Sequence, residues 1–392
     1  MSISADVPGL ASLLLSLGSI CLAVAFVGCI FALVEAAFVV GFSDKEPART
    51  DAEPAVTVLK PLHGAEPDLA DRLAALCRQH YGGPVQVVCG AQGDLAPATA
   101  AVGEVNSKFP DSIELVADQR SHGANGKVSN LINMLPRARY DTIVLSDSDI
   151  VVERDYLRRI VALLGEPDVG AVTCLYHGIG GTGLWSRISA LATNSHFLPQ
   201  AITALGLKLG KPCCGATIAL RRSMLDRIGG FHAFADVLAD DYAIGVAVRA
   251  AGYDVKAAPF LVGHRCFEGS LREFMRHQIR VARTIRSIDP IGYAGTILTH
   301  PLPLALLGML SGGITATLLT VAVLASRVTL CRCVERRFGL PRQSYWLIPL
   351  QDVLVFGVYV ASFFGATVNW QGVDFRVAGD GTLIEEQDLR GS

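Results

Sequence analysis

The chain lacks a charge excess of either sign. It has 34 Lys and Arg against 36 Asp and Glu, a net charge of −2 at pH 7. That excludes the basic footprint of a nucleic-acid-binding protein. It also lacks a cysteine pattern. The ten cysteines are scattered. Neither Cys213-Cys214 nor Cys331 with Cys333 has zinc-ligand spacing, and no secreted disulfide framework is visible. Reduced, cytosol-facing thiols follow. No Gly-x-Gly-x-x-Gly comes after the first expected strand, which weighs against a dinucleotide oxidoreductase. The first apolar run has no Lys or Arg ahead of it and no clear cleavage site behind it. It therefore reads as an anchor rather than a cleaved signal.

Apolar residues, by contrast, are abundant: 51% of 392 residues, with a mean hydropathy of +0.40. The excess sits at the two ends, so the layout is a soluble domain between membrane segments. Residues 8–41 form the anchor; Leu10 to Val34 alone can cross about 30 Å of hydrocarbon. Ser43–Pro54 reads as a linker and 55–290 as the soluble domain. Residues 294–328 form an apolar hairpin broken at Ser311-Gly-Gly313, 329–344 a basic loop, 345–367 a last span and 368–392 a tail. Arg327, Arg332, Arg336, Arg337 and Arg342 put the loop on the cytoplasmic side. The hairpin returns the chain to the side it left, so the soluble domain is expected there too.

From 55 to about 265 strand and helix patterns alternate, which argues for a doubly wound α/β domain. Within it, Thr142 to Leu145 run straight into Asp147-Ser148-Asp149. That reads as a buried strand of a mostly parallel sheet ending in two carboxylates, where ligands bind in open α/β sheets. If the chain stays extended, both carboxylates face one spot and suit Mg²⁺ or Mn²⁺ carrying a diphosphate; a polar turn capping the next helix is the plainer alternative. Asp240-Asp241 open a second helix, where the dipole favours negative charge. For Asp240 ordinary capping is the expectation. Arg272, Arg276, Arg280 and Arg283 share one face of a basic helix over 271–286. Lys60 and Lys127 could reach a phosphate, or be surface lysines. His177 could meet a hydroxyl, or be a satisfied structural histidine.

In this order, several motifs resemble the membrane glycosyltransferases that include ceramide glucosyltransferase, most of all the bacterial branch of hopanoid biosynthesis. They are Val58-Leu-Lys-Pro-Leu62, Gly126-Lys-Val-Ser-Asn-Leu131, Ser146-Asp-Ser-Asp149, His177-Gly178, Gly215-Ala-Thr-Ile-Ala-Leu-Arg221, Gly229-Gly-Phe231, Ala239-Asp-Asp-Tyr242 and Trp370-Gln-Gly372. The resemblance covers about residues 20 to 380. That family has three separated Asp positions and a (Gln/Arg)-x-x-Arg-Trp motif. The second Asp matches Asp147 and the third Asp241. Asp94 is a candidate for the first, shifted from Gln92 by one residue. Arg280 matches the last motif, with His277 at its first position and Val281 in place of Trp.

The resemblance implies an α/β, Rossmann-like, nucleotide-sugar-binding domain of the GT-A type with N-terminal and C-terminal transmembrane helices. It implies an inverting transfer of N-acetylglucosamine or glucose from a UDP-sugar to a membrane lipid hydroxyl. The acceptor would be a hopanoid polyol such as bacteriohopanetetrol, otherwise ceramide. Asp241 would be the base and Asp147 and Asp149 would hold Mg²⁺ or Mn²⁺. Lys60, Asp94, Lys127, Asp147 and Arg280 would bind the donor, and His177 and His277 the acceptor or sugar. The protein would sit in a bacterial inner membrane with its catalytic domain facing the cytoplasm. A processive polysaccharide synthase of the same fold and a non-catalytic membrane scaffold are the alternatives.

Overall fold

The computed structural model describes residues 7–43, 53–365, 367–370, 373–377 and 383–385. It forms two compact units. Met1–Phe42, Thr182–Leu207 and Glu268–Gly365 make a helical unit, and Ser43–Gly181, Lys208–Phe267 and Ala366–Ser392 make an α/β unit. Most of the expected linker, and Gln371-Gly372 of the last motif, lie outside the described residues.

In chain order, α1 (Val7–Gly41) opens the helical unit. The α/β unit follows with β1 (Val56–Leu62), α2 (Leu69–Cys77), β2 (Val85–Ala91), α3 (Ala96–Lys108), β3 (Ile113–Ala117) and α4 (Gly126–Met134). It continues with β4 (Thr142–Leu145), β5 (Ile150–Val151), α5 (Tyr156–Leu164) and β6 (Val169–Ile179). The chain then enters the helical unit for α6 (Leu184–Ala192), a π-helical turn at Thr193–Phe197 and α7 (Leu198–Gly206). It returns for β7 (Ile218–Arg221), α8 (Arg222–Arg227), α9 (Asp240–Ala250) and β8 (Asp254–Arg265). The helical unit ends with α10 (Leu271–Ile288), α11 (Pro290–Gly295), α12 (Pro301–Gly308), α13 (Gly313–Phe338) and α14 (Ile348–Ser362). The short strands β9 (Thr367–Trp370), β10 (Val373–Val377) and β11 (Leu383–Glu385) belong to the α/β unit.

The main sheet has the order β3-β2-β1-β4-β7-β6-β8-β5. The first four strands are parallel. β4 is buried at every position, and β1 at all but one, because both faces of a parallel centre are covered by helices. Beyond β4 the sheet is mixed rather than doubly wound throughout: β7 runs antiparallel to both β4 and β6. The order reverses at β1, with β2 on one side and β4 on the other, which makes the crevice at their carboxyl ends a switch point. The tail is part of this unit. Phe375 and Leu383 bury beside Leu238, and the Leu383 N–H donates to the Asp236 carbonyl at 2.7 Å.

Among the described residues, three helices of the helical unit are long and apolar enough to cross a membrane: Leu14–Gly41, Gly313–Phe338 and Tyr345–Ser362. A fourth crossing exists if Pro290–Thr299 and Pro301–Ser311, bent by 62°, form one span. The bend falls at His300, just before a proline that cannot continue the hydrogen-bond ladder. A Cβ at Gly28 would stand 2.5 Å from the Leu298 carbonyl oxygen, and one at Gly18 2.8 Å from the Ser311 nitrogen. The bent pair therefore runs antiparallel to α1. The expected break at Ser311-Gly-Gly313 is there, with Gly312 and Gly313 at positive φ. From it α13 runs back for 26 residues, about 39 Å. Its end meets the end of α1: the Phe42 and Phe338 rings are 5.7 Å apart, and Arg337 Nε donates to the Phe42 carbonyl at 3.1 Å.

Two expectations change here. The basic loop expected over 329–344 is helical as far as Phe338. Arg327 is not a loop arginine at all. It is 1% exposed and pairs with Asp352 through two bonds of 3.0 Å. The π-helical turn brings Ser195 and His196 to the same place: Arg327 Nη1 donates to the Ser195 carbonyl at 2.9 Å, and His196 Nε2 lies 3.0 Å from Asp352 Oδ1. A charge inside an apolar unit persists only when paired in this way.

Candidate active site

The turn that follows β4 is built by buried neighbours. Ser146 N–H donates to the Leu59 carbonyl at 3.1 Å, which ties the exit of β4 to β1. The chain then turns instead of staying extended: Ile150 N–H reaches back to the Asp147 carbonyl at 3.2 Å. The two carboxylates consequently part company rather than sharing one side of a strand. Lys60 is fully buried, and its Nζ donates to the Asp147 carbonyl at 2.7 Å and the Ser146 hydroxyl at 3.3 Å. Burial pulls the Lys60 ammonium down to about 8. This corrects its assignment as a nucleotide ligand, because the ammonium is already held by the turn it supports. Arg72, also buried, donates to the Ser148 carbonyl at 2.8 Å, and Glu66 takes both Arg72 and the Ser148 hydroxyl. Sequence reasoning missed Arg72 and Glu66.

Four charged side chains converge beside this turn. Asn125 caps α4 by accepting from Val128 N–H at 3.1 Å, which sets Lys127 in the first turn. Lys127 Nζ lies 2.9 Å from Asp147 Oδ1 and 3.3 Å from Asp240 Oδ2. Burial opposes the Lys127 charge, but Asp147, Asp240 and Asp241 outweigh it and hold its pKa well above the usual lysine range. Asp241 accepts from Gly215 N–H at 2.7 Å and from Tyr242 N–H at 2.8 Å. Burial first, then the neighbouring Asp240 charge, pushes its carboxyl up to about 6. This departs from the expectation that the helix N-terminus favours the charged form, because burial and Asp240 outweigh it. Asp240 is likewise more than a cap: it is 4% exposed, makes no capping bond and faces Lys127.

Gly215 occupies the centre. A Cβ there would stand 2.9 Å from Lys127 Nζ, 3.0 Å from Asp147 Oδ2 and 3.3 Å from Asp241 Oδ2. All three atoms are ends of side chains, so they can give way without unfolding the protein. Gly215→Ala is therefore expected to keep its thermal unfolding temperature within a few degrees. Its transfer rate is expected to fall at least about tenfold, since small misplacements of reacting groups are costly. Full activity in this variant would show that the cluster tolerates displacement.

Asp149 turns the other way, with His264 Nε2 3.1 Å from its Oδ2. Burial works against the imidazolium, but Asp149 outweighs it and holds His264 well above its ordinary range. Asp147 is raised by burial and by the charge of Asp149, with Lys127 pulling the other way. Each carboxylate thus carries a cationic side chain here, and carboxylate oxygen is the donor type that a hard divalent cation takes. Among the described residues, no three His, Cys, Asp or Glu side chains converge on one metal position. The two carboxylates fit a metal only if other oxygens, from phosphates and water, complete the set.

The remaining expected residues are placed as follows. Asp94 is exposed beyond β2 and accepts from Ala96 N–H at 3.0 Å, opening α3. His177 pairs in register with Gly263, whereas His264 pairs with Gly178. Alternation along the strands therefore puts the two histidines on opposite faces of the sheet. His264, which sequence reasoning missed, is the one that meets Asp149. Arg280 and His277 lie on α10 of the helical unit. That helix starts with a capping box, Ser270 accepting from Glu273 N–H and Glu273 from Gly269 N–H. His277 Nδ1 is 2.6 Å from the buried Glu268, which also accepts from Ser189 at 2.9 Å.

A mixed sheet with a carboxylate-bearing turn at its switch point, in a chain that also carries helices apolar enough to cross a membrane, is the layout of a GT-A fold. The model of Glycosyl transferase family 21 matches residues 20–383, and the chain belongs to that family. It is similar to ceramide glucosyltransferase 1 of Caenorhabditis elegans, 24% identical over 51% of this chain and 43% of that one. It is also similar to an N-acetylglucosaminyltransferase of Bradyrhizobium diazoefficiens, 25% identical over 59% of this chain and 49% of that one. The chain thus spans about half the length of the curated relatives it matches. Among solved structures, the mannosyltransferase PcManGT from Pyrobaculum calidifontis, in complex with GDP-Man and Mn²⁺, shares the fold. Its TM-score is 0.53 at 22% identity, over 90% of this chain and 99% of that one.

Proposed function

We propose that the protein transfers glucose or N-acetylglucosamine from a UDP-sugar to a hydroxyl of a membrane lipid, a hopanoid polyol or ceramide, with inversion. One observation carries this: Lys127, Asp147, Asp240 and Asp241 meet around Gly215 at the switch point of a family 21 chain that carries apolar helices. Asp241 takes the proton of the attacking hydroxyl. Its carboxylate is partly buried and held by two backbone N–H groups, which orient it. Lys127 offsets negative charge that develops on the departing diphosphate. Asp147 and Asp149 would hold Mg²⁺ or Mn²⁺, which would stabilise the same charge when bound. The names of the two curated relatives support the choice of sugars, and the Mn²⁺ bound by the mannosyltransferase supports a metal. Arg280 is proposed to bind the donor, and His277 the acceptor or sugar, as the family resemblance implies.

Purified full-length protein with labelled UDP-glucose or UDP-N-acetylglucosamine and a lipid extract tests the reading. A single glycolipid product is expected, abolished by EDTA and restored by Mg²⁺ or Mn²⁺. A polymer, or no transfer to any lipid, would overturn it; full turnover in chelator would remove the metal from Asp147 and Asp149.

We further propose that the site faces the cytoplasm of a bacterial inner membrane. α13 ends against the end of α1 at Phe42, and the arginines there support a cytoplasmic placement by the positive-inside rule. An exposed cysteine introduced as Pro341→Cys is expected to react with a membrane-impermeant maleimide in inverted vesicles and not in intact cells. Labelling from outside would reverse the orientation.

A further inference from the structure

Arg332, Glu335, Arg336, Leu340, Arg342 and Tyr345 line a concavity of about 340 Å³ in the helical unit. The sequence explains its charge only as a topology signal. The structure shows something more specific. Arg332 and Arg336 are one turn apart on α13, and the segment after Phe338 folds back to bring Arg342 beside them. The guanidinium carbons of Arg332 and Arg342 lie 5.5 Å and 5.3 Å from the centre of the Tyr345 ring. One aromatic ring thus gathers two like charges, and the third arginine, Arg336, lines the same hollow. All three are exposed.

A single carboxylate faces them, and it is engaged elsewhere. Glu335 accepts from Gln343 N–H at 2.6 Å and from the Tyr345 hydroxyl, which fixes the fold-back and the ring. Arg336 makes no ion pair among the described residues. Three guanidiniums held together at the edge of a hollow, with their one acid engaged in shaping it, leave an anion-sized deficit of negative charge.

What surrounds the hollow selects the anion. The chain after Tyr345 turns into α14 and presents Trp346, Leu350 and Val353, which are 69%, 42% and 45% exposed. Their spacing places them on one helical face. A free phosphate has no use for that stripe. A phospholipid does: its phosphate meets the guanidiniums and its acyl chains lie along the apolar face. Basic hollows beside membrane helices suit anionic head groups in this way, and the planar fork of arginine can bind two phosphate oxygens at once.

We propose that this hollow is a binding site for an anionic phospholipid, with the head-group phosphate held by Arg332, Arg336 and Arg342. The site lies outside the transfer machinery and its test does not require turnover. Full-length protein in neutral detergent is titrated with fluorescent phosphatidylglycerol and, separately, fluorescent phosphatidylcholine. Wild type is expected to bind phosphatidylglycerol at least about tenfold more tightly. Each basic side chain near a membrane surface contributes about fivefold, so Arg332→Gln/Arg336→Gln/Arg342→Gln is expected to lose about 100-fold. Arg336→Gln alone, which breaks no hydrogen bond or ion pair among the described residues, is expected to lose about fivefold and covers the case in which the triple variant does not fold. A control with the same change of charge, Arg137→Gln/Arg139→Gln/Arg227→Gln, is expected to bind like wild type. Equal affinity for the two lipids would overturn the proposal, as would wild-type binding by Arg336→Gln or by a folded triple variant. Displacement of phosphatidylglycerol by an equal concentration of inorganic phosphate would also overturn it, in favour of a free-anion site.

Discussion

Asp241→Asn is expected to retain donor affinity and lose transfer by about 10²–10⁴-fold, the usual contribution of a positioned general base. The amide keeps the shape of the side chain and can still accept from Gly215 N–H, but it cannot take a proton. The acid limb of the wild-type profile supplies an independent check. A base works only when ionised, and the Asp241 carboxyl is raised to about 6 by burial and by Asp240. Activity as kcat/KM is therefore expected to fall as the pH drops through about 6. Asp240→Asn removes one of the two effects that raise Asp241, so its acid limb is expected to move to lower pH. Because Asp240 also faces Lys127 at 3.3 Å, this variant is expected to weaken donor binding while turnover at neutral pH changes less than about tenfold. A dead Asp240→Asn, or a normal Asp241→Asn, would mean that the two neighbours have exchanged roles.

The largest effect on stability is expected in the helical unit. Asp352→Ala leaves Arg327 charged and unpaired at 1% exposure, and it strips His196 of its carboxylate. Removing one partner of a buried ion pair typically costs about 3–5 kcal/mol, because the remaining charge has no compensation. Thermal unfolding in detergent should show it as a fall of many degrees. Arg327→Met combined with Asp352→Leu is expected to recover most of the loss, since the pair's attraction largely offsets its own desolvation. An Asp352→Ala protein that unfolds at the wild-type temperature would show that water or lipid head groups reach Arg327.

Local pattern was sufficient for much of the α/β unit. β2, α3 and β3 fall within the alternation expected from 55 to about 265, since apolar runs, a proline near the start of α3 and polar breaks delimit each one without reference to distant residues. The same holds for the place of Asp147 just after β4. Along α9, Ile244 and Val248 are buried. Val246, two residues from each, is 44% exposed, because a period of 3.6 cannot bury all three.

Charge and sheet direction were not legible in this way, because each depends on a partner far along the chain. A lysine in Val58-Leu-Lys-Pro-Leu62 looks the same whether it reaches solvent or, as Lys60 does, turns in to meet the Asp147 carbonyl 87 residues away. An arginine near the end of an apolar run counts toward the positive-inside rule until Asp352, 25 residues on, claims it. β7 is apolar in either direction, and only its pairing between β4 and β6 makes it antiparallel. The sequence by itself determined the alternation of strand and helix, the apolar ends and the acidic turn at the switch point, since these rest on periodicity and composition over neighbouring residues. Tertiary structure alone decided which carboxylate meets which cation, because Asp147 with Lys127, Asp149 with His264 and Asp240 with Lys127 each join segments that only the folded sheet brings within about 3 Å.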